Sequence, residues 1–223
     1  MGTLLELKQL TLNYKNYNTS VEVIKGIDLK INSSEKVAVV GKSGSGKTSL
    51  IMLMAGLEQP TSGEIIFDQQ LISTLNEDQL ADIRKKKIGI VFQSFYLIPN
   101  YTALENVSLI LEINSIDNSK QKAEDLLVQF GLKDRLHHFP TQLSGGEQQR
   151  VAIARSMAVK PKLILADEPT GNLDSENSQM ISNLLFDYAN KNQSSFVLVT
   201  HDLKFAEKCD HIIKIEDGTI VSS

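Results

Sequence analysis

Apolar and polar residues alternate in two stretches near the amino end, Leu4 to Leu12 and Val21 to Ile31, either side of the polar run Tyr14-Lys-Asn-Tyr-Asn-Thr-Ser20. Period-two alternation predicts strands with one buried face, so these stretches read as two antiparallel strands and a loop. Lys36–Val40, Ile88–Phe92, Lys162–Ala166 and Phe196–Thr200 are instead almost continuously apolar. Such short runs predict strands buried on both faces of a largely parallel sheet. Glu64–Phe67 and His211–Ile215 also read as strands. Helical spacing is predicted over Lys47–Leu57, Asn76–Lys87 with Asn76 as N-cap, Gly146–Val159, Ser175–Asn190 and, briefly, Leu203–Glu207. From Ser94 to Pro140 the pattern differs: it holds Pro99, Pro140 and helical stretches at Ala103–Leu111 and Lys120–Phe130, with no strand. The expectation is one α/β domain over residues 1–223. Residues 1–93 and 161–223 would form its core, with an amino-terminal antiparallel β subdomain, and about 94–160 an inserted α-helical subdomain.

Composition narrows the class of partner. With 23 Lys and Arg against 27 Asp and Glu, the net charge of −4 argues against nucleic acid. Arg84-Lys-Lys-Lys87 is the one dense basic run; it reads as a solvated helix end, with contact to a phospholipid surface or an acidic partner as the alternative. One cysteine, Cys209, excludes an internal disulfide framework and fits a reducing compartment. The opening MGTLLELKQL lacks the apolar core of a signal peptide, and no apolar run approaches the ~18 residues of a membrane span. A cytoplasmic protein is expected, its membrane role, if any, supplied by a partner.

Three segments carry candidate chemistry. Gly41-Lys42-Ser43-Gly44-Ser45-Gly46-Lys47-Thr48 has the form G-x-x-x-x-G-K-[ST], with a strand before it and a helix after, followed by Ser49. Its glycines let backbone N–H groups curl round an anion at a helix N-terminus, which points to a nucleoside triphosphate. Lys47 would reach the β- and γ-phosphates and the Thr48 hydroxyl would hold Mg²⁺. Asp167 and Glu168 end an apolar strand, where open parallel sheets bind ligands. Asp167 suits Mg²⁺ and Glu168 suits a base that polarises water. His201 follows the strand ending at Thr200 and reads as a γ-phosphate contact, while His137, His138 and His211 have no such setting. Gln93 ends another buried strand, where an uncharged amide can touch Mg²⁺ or its water.

A further segment, Leu143-Ser144-Gly145-Gly146-Glu147, opens a helix far from the phosphate loop. Taken in order, these pieces resemble the ATPase subunit of an ABC transporter over essentially the whole chain. Glu147 departs from the glutamine usual in that signature. The resemblance implies an ATP-dependent head-to-tail homodimer, in which Ser144, Gly145, Gly146 and Glu147 of one copy close on the γ-phosphate held by the other. It also implies that Asp174, in Gly171-Asn-Leu-Asp174, links the two sites, and that Tyr14, or else Tyr17, stacks on adenine. Phe92–Pro99, Thr102–Val107, Ala166–Asp174 and Val199–Asp202 are similar to the LolD/MacB/YbbA group. That implies a cytoplasmic ATPase held on the inner face of the bacterial membrane by a separate permease, contacted through about Ser94–Leu111. The pair would export or extract a lipoprotein, peptide or amphiphilic compound. The rival implication is an ATP-gated scaffold similar to FtsE, which signals through a permease-like partner without transport. No room is expected after Glu216-Asp-Gly218 for a carboxy-terminal regulatory domain.

Overall fold

The computed structural model describes residues 2–16 and 19–222 and divides into two compact units. The first comprises Met1–Arg84, Leu165–Asp167 and Ser195–Ser223; the second comprises Lys85–Ile164 and Glu168–Ser194. The boundaries thus differ from 93/94 and 160/161, with Ile88–Phe92 and Ser175–Asn192 grouped with the inserted helices.

In the first unit, β1 (Thr3–Asn16) pairs antiparallel with β2 (Thr19–Asn32) and with β4 (Ser62–Phe67), which pairs with the short β5 (Gln70–Leu71). Leu5, Leu7, Leu10 and Leu12 are all buried, although their parity changes between positions 7 and 10. One extra residue is needed to keep both pairs on one face, and the register shifts there. Gln9 supplies the irregularity at φ 45, its N–H donating to Asp28 Oδ1 at 2.9 Å. The loop expected from Tyr14 to Ser20 is shorter: Tyr14 lies in β1 opposite Val21, because the ladder runs on to Asn16 and Thr19. Tyr17 lies outside the described residues.

Also in this unit, β3 (Lys36–Val40) runs parallel to β8 (Ser195–Val199) and β9 (His211–Glu216), and β10 (Thr219–Ser222) returns antiparallel to β9. The order is β10-β9-β3-β8-β7, with β7 spanning Leu163–Asp167. Every residue of β7 and β8 is buried, as their unbroken apolar runs require. Helix α1 (Lys47–Met54) ends three residues before Leu57, whose N–H closes back on Met52 O at 2.9 Å. In α2 (Glu77–Lys87) Asn76 and Gln79 cap reciprocally, and Arg84 turns inward to pair with Glu77 and donate to Gly56 O at 2.7 Å.

In the second unit, β6 (Ile88–Phe92) neighbours the start of β7 and is accompanied by α3 (Ala103–Ile113), α4 (Ser119–Gln129), α5 (Gly145–Met157) and α6 (Ser175–Asn192). Buried Val107, Leu111, Leu127, Val151, Ile153, Met157, Ile181 and Leu185 form its core. A capping box of Thr102 and Glu105 starts α3. Among the described residues, no helix is long and apolar enough to cross a membrane.

Candidate functional site

The first unit holds the phosphate loop at the carboxyl end of β3. Gly46 opens α1 at φ 100, and a Cβ there would lie 2.9 Å from Val23 O and 3.0 Å from Ile24 Cδ1, so only glycine fits. No side-chain hydrogen bond caps α1 and no acid lies in its first turn, which leaves the positive helix end to an anion. The buried Lys47 is held across the loop, its Nζ donating to Gly41 O at 2.9 Å and Lys42 O at 2.8 Å. Ser45 is buried too, and its Oγ has no protein partner, an orphan donor that suits a phosphate oxygen. Lys42, Ser43, Gly44 and Thr48 are exposed along the loop, and Gly41 and Ser49 are half-buried.

The same edge gathers further expected residues. Thr200 N donates to Val39 O at 3.3 Å, which sets the exposed His201 beside the strand that leads into the loop. The turn is fixed from both sides, as Thr200 Oγ1 accepts from Asp202 N and Asp202 Oδ1 caps the short α7 (Leu203–Ala206). Buried Asp167 ends β7, which adjoins β8. Tyr14 is 47% exposed and its hydroxyl reaches Glu58 Oε2 at 3.2 Å. Burial, then the Glu58 charge, raises its phenol above the ordinary value despite a hydrogen bond with Ser49. Burial, then the Asp210 charge, pushes the Cys209 thiol up to about 12.

The second unit holds the signature. Ser144 is the N-cap of α5: its Oγ accepts from Glu147 N at 3.2 Å, and its N–H donates to Glu147 Oε2 at 2.7 Å. Accepting there leaves the serine's own proton able to donate outward, with Ser144 and Gly145 both exposed. The departure at Glu147 has a structural use, because its other oxygen takes Arg135 Nε at 2.7 Å. Burial alone would raise this carboxyl, but the Ser144 N–H and Arg135 outweigh it and hold the value below the ordinary range. A Cβ at Gly146 would fall on Asn177 Oδ1, so any side chain there would have to displace that amide. Asn177 is in turn held by Asp174, which caps α6 by accepting from Asn177 N at 2.9 Å and Nδ2 at 2.7 Å. Those bonds keep the Asp174 carboxyl below its usual range.

A folded-state value depressed in this way adds stability above the unfolded value and loses it as pH falls through the folded one. Glu147→Gln is therefore expected to destabilise the protein by about 0.5 kcal/mol at neutral pH, small because Arg135 is partly solvated, and the gap should close in acid. Denaturant midpoints at neutral and acidic pH check this.

Glu168 is half-buried, at the left-handed φ of 47, and its carbonyl accepts from Gly171 N at 3.0 Å. Exposed Gln93 donates from Nε2 to Asn172 Oδ1 at 3.1 Å. Asn172 had no reading from sequence. Nor had the buried Asn106, which holds residues 98–102 by accepting from Ile98 N at 2.8 Å and donating to Ile98, Tyr101 and Thr102 carbonyls. Gln149 was missed as well: fully buried on α5, it donates to Pro169 O at 2.7 Å and Phe92 O at 3.4 Å. A polar residue on an otherwise apolar helix face was the signal in the sequence for both buried amides.

Residues 24–171 match the family model described as ABC transporter. The chain is 43% identical over 219 residues to the lipoprotein-releasing system ATP-binding protein LolD of Idiomarina loihiensis, covering 97% of this chain and 96% of that one. It is 44% identical over 221 residues to the macrolide export ATP-binding/permease protein MacB of Pasteurella multocida, covering 98% of this chain and 34% of that protein. Among solved structures, the dimeric post-hydrolysis state of the ATP-binding cassette MJ0796 bound to ADP and Pi aligns at a TM-score of 0.93 and 39% identity, covering 98% of this chain and 97% of that one.

Proposed function

We propose, since this chain belongs to the ABC transporter family as an ATP-hydrolysing subunit of the LolD/MacB type, that two copies close head to tail on ATP and drive a separate permease. The cargo would be a lipoprotein, peptide or amphiphilic compound, in keeping with the names of its relatives. The observation that carries the reading is a second anion-ready helix start: the chain has the exposed Ser144-Gly145 cap of α5 in addition to a phosphate loop already complete in Lys47 and Thr48. One copy's cap would meet the γ-phosphate on its mate's loop, with the α5 helix end favouring that charge.

Within each site the buried Lys47 would leave the Gly41 and Lys42 carbonyls for the β- and γ-phosphates, and His201 would donate to the γ-phosphate. Glu168 would accept a proton from water as that water attacks, giving ADP and inorganic phosphate. Tyr14 would stack on adenine. The described residues contain no cluster of three acidic, His or Cys ligands. Mg²⁺ does not require one, since it keeps waters and binds through one or two protein oxygens and the phosphates. Thr48 would hold the ion through its hydroxyl and Asp167 through its water shell, with Gln93 touching the ion or its water; Mg²⁺ would neutralise charge building on the phosphate oxygens. The permease, and through it the inner face of the bacterial membrane, would be met by about Ser94–Leu111, where Tyr96 is 68% exposed and Arg155 donates to its carbonyl at 2.6 Å.

Dilution tests the reading. ATP turnover per molecule should fall steeply as protein concentration drops below that needed for pairing. A constant rate per molecule into the range where only monomers exist would overturn it.

A further inference from the structure

We infer that Gln149 is a positioning residue for hydrolysis, tying the base of one site to the helix that caps the other; this rests on the reading of Glu168 as base. Its amide is wholly buried on α5, on the stripe Gly146, Gln149, Ile153, Met157 that faces the unit's interior. The Nε2 group sends one hydrogen to Pro169 O at 2.7 Å and the other to Phe92 O at 3.4 Å. Pro169 follows Glu168 and Phe92 precedes Gln93, so one side chain grips the backbone beside both residues. The Oε1 end has no hydrogen-bond partner. Flipping the amide would point that oxygen at two carbonyls, so the donor end is what the position requires.

The grip matters because the Glu168 segment is tightly set. Glu168 sits at φ 47, a costly conformation for a residue with a side chain. Its own carbonyl is held by Gly171 N and the next one by Gln149, while Gln93 is joined to the same turn through Asn172. Ser144 lies five residues before Gln149 on the helix it caps, about one and a half turns away. Engagement of the cap and the aim of the base are thus joined through one rigid helix and one amide.

The test uses Gln149→Met and Gln149→Leu, both near the original in size and both without the donor. Either folded variant should lose ~10-fold or more in kcat, the scale of a small misplacement of a catalytic group, with the KM for ATP little changed. In single turnover, adding Gln149→Met to a Glu168→Gln background should cost almost nothing further, because the aimed group is already gone. Wild-type kcat in a folded variant, a loss that multiplies fully with that of Glu168→Gln, or a rise in KM in place of the fall in kcat would overturn the inference. A Glu168→Gln chain that turned over normally would instead overturn the reading beneath it.

Discussion

Replacing Glu168 by glutamine is expected to cut steady-state ATP turnover by ~10²–10³, the usual loss of one positioned catalytic contact, while ATP still binds. Glutamine preserves shape and can take up the left-handed backbone at this position, so the carbonyl bonds from Gly171 and Gln149 should persist. It cannot accept a proton from attacking water. The phosphate loop, with Lys47, Ser45 and the uncapped start of α1, is untouched. Removing one of two adjacent carboxylates also eases repulsion with the triphosphate, so the ATP-bound pair should outlive its normal term. Gel filtration with ATP should find a dimer that wild-type protein does not retain. Ordinary turnover would end the assignment of Glu168 as base.

Ser144→Arg is expected to stop hydrolysis while leaving ATP affinity of the single chain near normal. The substitution sets a long cation where two backbones must approach and removes the oxygen that accepts from Glu147 N, at a cost to the helix of about 1 kcal/mol. It leaves the first unit's loop unaltered. Mixing sharpens the test. A Ser144→Arg chain keeps its phosphate loop and a Lys47→Ala chain keeps its cap, so each is inactive alone. If the cap serves the mate, a mixed pair contains one wholly intact site and activity should return. If the cap served its own nucleotide, every site would carry a lesion and the mixture would stay silent. Lost ATP affinity in the Ser144→Arg monomer would count against the assignment equally.

Much of the molecule was legible as a one-dimensional pattern. The loop from Gly41 to Thr48, the acids ending β7 and the cap at Ser144 are each contiguous in the chain, so residue type and spacing alone mark them. The helices from α3 to α6 were legible because their apolar stripes and caps are local too. The bulge in β1, where the parity of the buried leucines changes between positions 7 and 10, went unread. Both short hairpins went unread. Their turns rest on paired residues at positive φ, Asp68-Gln69 and Asp217-Gly218, while β5 and β10 have little alternation of their own.

What the chain pattern determined, then, was where anions, a base and a metal could be met. Only the tertiary structure decided how those groups are aimed. Gln149 reaches carbonyls 57 and 20 residues away in sequence, and Asn172 meets a glutamine 79 residues away. Hydrogen bonds of that kind depend on which backbone oxygens pass within about 3 Å once the helices have packed, a distance no local propensity encodes.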